Sequence, residues 1–184
     1  MKPAQLPHPP LWYAVPVPEG AAWPAQNGIN IVCGGQLPRV REITDRYRAE
    51  WAAAGNPLEQ LPLLGINRFV IAADTDREAM ELGRRAWPLF YRSFMKLWKK
   101  HGTQPRLVRL PEDFDTMVQN GGAIAGSPGT IHEQVRKMAD EAGVNYFISQ
   151  FSFGDLRHEE VLHSAGVFAR EMLPAARDRV AQVV

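Results

Sequence analysis

Three stretches of the 184-residue chain carry residue types that could do chemistry. The first is GSPGTIHEQV, residues 126–135. Glycines and small polar residues stand directly before a helical pattern, and a helix N-terminus offers amides to an anion. Gly121 and Gly126 complete a G-x-x-x-x-G spacing, but Ser127-Pro128 follows where a nucleotide loop needs Lys and then Ser or Thr. Thr130 and Glu133 have capping-box spacing instead, which would occupy the amides a phosphate needs. The stretch therefore reads as a helix start.

The second is HEEVLH, residues 158–163. Two histidines on one helix share a metal at a spacing of four. His158 and His163 are five apart and diverge, so no metal ligand set is assigned. The acidic pairs Glu159/Glu160 and Asp113/Asp115 sit at helix starts, where the dipole favours them, and neighbours on a helix point apart. Ser127, Ser149, Ser152 and Ser164 lack the G-x-S-x-G setting of a nucleophile. Cys33, the only cysteine, ends an apolar run and reads as a packed thiol. It allows no internal disulfide, which fits a reducing cytoplasm. Lys96, Lys99, Lys100 and His101 close a helical run and complement its dipole.

The third is a pair of loops, VPVPEG (15–20) and SQFSFGDL (149–156). Each follows an expected strand. In parallel α/β folds, ligands gather at the carboxyl ends of strands. These loops are the best site candidates that residue chemistry alone supplies.

The elements that would position them follow from periodicity. Hydrophobic residues make up 45% and charged residues 22%, the balance of a globular domain. A net charge of +1 argues against nucleic-acid binding. No apolar run reaches a membrane span, and the proline-rich start (Pro3, Pro7, Pro9, Pro10) is extended and unlike a signal peptide. Strands are expected at 11–15, 29–33, 63–72 and 145–151. Between them lie a short helix at 19–28 stopped by Gly28 and a helix at 40–55 with Val40, Ile43, Tyr47 and Trp51 on one stripe, stopped by Gly55. A long helix at 74–102 is capped by Thr75 and Glu78 and broken or kinked at Pro88. Residues 103–110 read as a loop and 111–122 as a short helix. A helix at 130–143 buries Ile131, Val135, Met138 and Ala142, and one at 158–174 turns Val161, Leu162, Ala165, Phe168, Ala169 and Met172 inward. Alternating strands and helices predict a single α/β domain with four parallel strands and crossover helices.

QLPHPPLWYAV, AAWPAQNGINIV, VIAADTDREAMELGRRA, AIAGSPGTIHEQV and AGVNYFISQFSFGDLRHEEVLHSAGVFAREMLP follow one another along the chain. Together they resemble the C-terminal half of the bacterial-luciferase-like flavin-dependent monooxygenases. The resemblance implies half of a TIM-type (β/α)8 barrel, strands five to eight, over residues 1–184. It implies a monooxygenase or oxidoreductase that uses O2 and reduced FMN on an apolar organic substrate, with the flavin reduced by a separate reductase. The family's catalytic histidine belongs to the half without a counterpart here. None of the five histidines matches it, so no catalytic residue is assigned. The family's FMN phosphate is held by the loop after strand five, which corresponds to Val17, Pro18, Glu19 and Gly20. Here the family's hydroxyls are replaced, Pro18 has no N–H, and Glu19 repels phosphate. The alternative is a non-catalytic half-barrel with a structural or binding role. Either reading implies exposed strand edges and an apolar inner face. The expected partner is therefore a second copy or a chain that supplies the other half-barrel, with no nucleic acid and no membrane.

Overall fold

The computed structural model describes residues 5–105 and 110–181, with the side chains of the last helix described through Met172. Pro3 and the centre of the loop expected at 103–110 lie outside the described residues. The chain divides into two compact units. One comprises residues 1–67 and 138–148, the other residues 68–137 and 149–184.

The first unit contains β1 (Trp12–Ala14), a 3-10 turn (Pro18–Ala21), α1 (Ala22–Gln26), β2 (Asn30–Cys33) and α2 (Leu37–Ala53). It also holds the first part of β3 (Leu64–Ala72), the end of α5 (Pro128–Ala142) and the start of β5 (Tyr146–Gln150). The prolines fall where an absent N–H does least harm: Pro38 opens α2, and Pro24 lies in the first turn of α1. Gly28 and Gly55 take φ of 64° and 78° just beyond their helices, the left-handed stop a side chain would resist. β1 pairs in parallel with β2 (Tyr13 opposite Ile31), and β2 with β3 (Cys33 opposite Ile66); β5 also pairs with β3.

The core of this unit is aliphatic. Ile31, Cys33, Leu64 and Ile66 meet the α2 stripe of Val40, Ile43, Tyr47 and Trp51. The expected thiol packing of Cys33 holds: it is 1% exposed. Side chains tie the unit's loops to its helices. The Tyr47 hydroxyl donates to the Ile29 carbonyl at 2.8 Å, Thr44 Oγ1 to the Ala142 carbonyl at 2.7 Å, and Trp51 Nε1 to the Pro57 carbonyl at 2.9 Å.

The second unit holds the rest of β3, α3 (Asp76–Lys100), α4 (Phe114–Gln119), β4 (Ala123–Gly126), the start of α5, the end of β5, and α6 (His158–Ala181). β3 pairs in parallel with β4, Phe69 to Ala72 against Ala123 to Gly126. The core is aromatic: Phe69 lies 5.1 Å from Trp87, 5.0 Å from Phe90 and 5.2 Å from Phe153, ring centre to ring centre. Gly83 has no Cβ because the Phe114 ring occupies that place; a Cβ there would come within 2.0 Å of the ring.

Four expectations change. A fifth strand, β4, occupies residues 123–126, between the short helix expected at 111–122 and the helix start, where no strand is expected. Four residues are too few to show a period, and pairing with β3 decides them. Pro88 does not break α3, which runs unbroken through it with Trp87 buried and Phe90 half-buried beside it. α5 begins at Pro128, so Thr130 lies inside its first turn and is not the cap. On α6, Leu162 is 58% exposed while Ser164 and Val167 are buried. The Ser164 hydroxyl accepts from the Ala72 amide at 2.8 Å, and this bond turns a polar residue inward.

Candidate functional site

The loop after β1 is the first sequence-predicted site. Val15, 1% exposed, anchors the strand end, and its amide donates to the Val32 carbonyl at 3.0 Å. Val17 is extended (φ −141°, ψ 150°) and precedes the 3-10 turn, in which Pro18 takes the first position. Val17, Pro18 and Gly20 are half-buried and Glu19 is exposed. Their chemistry does not suit a phosphate. Pro18 has no amide hydrogen, the Gly20 amide donates to the Val17 carbonyl at 3.0 Å, and the Glu19 carboxylate sits in the first turn. An anion at this turn would meet a negative charge where it needs donors.

The turn at Gly126 is already filled. Asp76, in the first turn of α3, accepts the Ser127 amide at 2.7 Å. That bond, with the Thr130 and Ser127 hydroxyls, holds the Asp76 carboxyl below the usual carboxylate range. Ser127 Oγ donates to Thr130 Oγ1 at 3.2 Å. A Cβ on Gly126 would come within 2.6 Å of Thr130, so glycine is what lets the turn close on Asp76. A carboxylate of the chain itself takes the place an anionic ligand would occupy. The helix-start reading of this stretch stands, but its cap comes from a residue 51 positions away.

The loop at 149–156, the other generic candidate, is spent on packing. Phe153 is 6% exposed in the aromatic core. Gly154 (φ 61°) rests so closely on the Ala86 carbonyl that a Cβ would approach it to 2.0 Å. Asp155 pairs with Arg85 at 3.3 Å. Nearby, Glu160 accepts both Arg85 Nη2 (2.5 Å) and the Arg157 amide (2.8 Å) at the start of α6. The Arg85 bond above all draws its carboxyl down to about 2.

The two histidines of HEEVLH are separated as the helical spacing requires. His163 Nε2 lies 3.2 Å from Asp74 Oδ1 on the surface, and His158, also exposed, is the first residue of α6. One residue passed over in the sequence is Arg68, 1% exposed on β3. Its signal was a lone cation inside the apolar run INRFV.

A family model described as luciferase-like monooxygenase matches residues 1–146. The uncharacterized protein y4wF of Sinorhizobium fredii (strain NBRC 101917 / NGR234) is 31% identical over 173 residues, covering 94% of this chain and 50% of that protein. Among solved structures, the monooxygenase RslO1 from Streptomyces bottropensis superposes with a TM-score of 0.75 at 22% identity, over 93% of this chain and 49% of that one. The oxygenating constituent of 3,6-diketocamphane monooxygenase from Pseudomonas putida, solved with FMN, gives 0.67 at 18% identity, over 89% and 47%. The chain thus spans about half the length of the proteins it matches. Its parallel sheet and crossover helices are the fold of half a TIM-type barrel. On the match over residues 1–146, the chain belongs to the luciferase-like monooxygenase family.

Proposed function

We propose that this chain contributes half of the barrel of a flavin-dependent monooxygenase that oxidises an apolar organic substrate with O2 and reduced FMN. The observation that carries the reading is the family match over residues 1–146. The likeness in fold to an oxygenating enzyme solved with FMN supports a flavin cofactor. In this reading a separate reductase supplies the reduced flavin in the cytoplasm. The lone buried Cys33 agrees with a reducing compartment. The turn at Val17, Pro18, Glu19 and Gly20 would face the cofactor's phosphate without gripping it, so the donors must come from the rest of a completed barrel.

That mismatch favours a second reading, a half-barrel that has kept the fold and lost the chemistry. An FMN titration of the purified chain, followed by flavin fluorescence, separates the two. Saturable binding at micromolar FMN, strengthened by Glu19→Ser, is the expected result for a flavoenzyme. No saturation up to millimolar FMN would leave the non-catalytic reading.

A further inference from the structure

The second unit carries a cavity of about 310 Å3 beside the end of α3, at the small end of the range for ligand sites. Met95, 8% exposed, and the half-buried Leu110 give it apolar lining. Lys99, Thr103 and Gln104 add one charged and two polar side chains. Small-molecule sites have this make-up, apolar surface with a few polar groups that fix orientation.

The end of α3 does not need Lys99 as a cap. The carbonyls of Leu97, Trp98 and Lys99 already accept from the amides of His101 (3.0 Å), Thr103 (2.9 Å) and Gly102 (3.3 Å). The helix dipole favours a cation anywhere in the last turn. The Lys99 ammonium is more narrowly placed, 5.3 Å from the centre of the Tyr91 ring, which also lines the cavity. A ring face attracts an ammonium but cannot accept from all three of its N–H groups.

The charge here is not compensated. No Asp or Glu occurs between Glu81 and Glu112. On α3, Arg84 pairs with Asp115, and Arg85 with Asp155 and Glu160. Among the described residues, Arg92, Lys96, Lys99 and Lys100 pair with no carboxylate. The Thr103 hydroxyl and the Gln104 side-chain amide likewise have no hydrogen-bond partner among them.

We propose that this cavity binds a small carboxylate with an apolar tail. Lys99 is the one charged side chain among the described lining residues, and a single ammonium matches a single negative charge. The Thr103 hydroxyl and the Gln104 amide supply further donors to the carboxylate oxygens. Met95 and Leu110 receive the tail, which a bare inorganic anion lacks. Neither flavin nor the completion of a barrel enters this assignment.

Titration of the full chain with sodium hexanoate, followed by amide NMR shifts, tests it. Saturable shifts confined to residues 95–104 and their neighbours are expected, with a dissociation constant on the order of a millimolar. Acetate, which lacks the tail, and hexanol, which lacks the charge, should each bind roughly tenfold more weakly or less tightly still. Lys99→Met removes the charge but keeps an unbranched stem, and should weaken hexanoate roughly tenfold or more. Lys100→Met removes the neighbouring cation, which does not line the cavity, and should change binding by less than about twofold. Thr103→Glu sets a carboxylate at the site and should abolish binding, which covers the case in which Lys99→Met fails to fold. Shifts that do not saturate by ~50 mM hexanoate would overturn the proposal. So would equal losses in Lys99→Met and Lys100→Met, which would mean diffuse attraction to a basic helix, or acetate or hexanol binding as well as hexanoate.

Discussion

The two units stabilise the same kind of sheet in different ways. In the second unit both faces of the strands are closed. Phe69, Ile71, Ala123 and Ala125 lie against the aromatic core, while Val70 and Ile124 on the opposite face are fully buried. In the first unit the described residues form an aliphatic core laced with hydrogen bonds from side chains to carbonyls. Among the described residues of the first unit, the packed rings of Trp12 and Tyr146 stay 40% and 42% exposed, and Trp12 opens the strand that leads into the loop that the family resemblance implicates in cofactor binding.

If close fit governs the second unit, the largest effect should come from Gly154→Ala. The new Cβ would meet the Ala86 carbonyl, and φ of 61° already disfavours any side chain. A loss of about 3 kcal/mol or more is expected in urea unfolding. A loss below ~1 kcal/mol would show that this loop can shift, and that packing is looser than the geometry implies.

The first unit should respond most to its hydrogen bonds. Tyr47→Phe keeps the ring and leaves the Ile29 carbonyl without its donor, at an expected cost of about 1–2 kcal/mol. Burial pushes the Tyr47 hydroxyl up to about 12. A raised folded value means stability that is complete below the unfolded value of 10.0 and is lost as pH rises toward 12. The wild type should therefore weaken across that alkaline window more steeply than Tyr47→Phe. Parallel curves would mean that the hydroxyl does not stay protonated in the fold.

The smallest effect should come from Glu160→Gln, about 1 kcal/mol, because its arginine partners are partly exposed. Here the sign is reversed. A carboxyl drawn from 4.5 to about 2 gives stability that is present above 4.5 and lost as pH falls toward 2. Acid titration followed by circular dichroism should show the wild-type advantage over Glu160→Gln vanish in that interval. An advantage that survived below pH 2 would show that packing, and not charge, holds the start of α6.

What was legible in the sequence is what depends on near neighbours along the chain. The stripe of Val40, Ile43, Tyr47 and Trp51 and that of Ile131, Val135, Met138 and Ala142 are buried as their spacing implied, because a helix repeats every 3.6 residues whatever surrounds it. Thr75 caps α3 by accepting the Glu78 amide at 3.2 Å, a bond three residues long. Of the site candidates, the turn at 17–20 was legible in its defects, since a proline's missing donor and a glutamate's charge belong to the residues themselves.

Tertiary structure decided the rest, because those outcomes depend on residues distant in sequence. AIAG is a strand because β3 offers it an edge, and four residues are too short a run to carry a period of their own. Ser127 starts α5 in place of Thr130 because Asp76 reaches its amide from another helix. Ser164 turns inward in place of Leu162 because the Ala72 amide, 92 positions away, bonds its hydroxyl. The sheet of the first unit is of the same kind. The sequence determined that Trp12, Val32 and Gly65 would lie in strands, but their register, with Ala14 opposite Val32 and Val32 opposite Gly65, is settled only by pairing between strands distant along the chain.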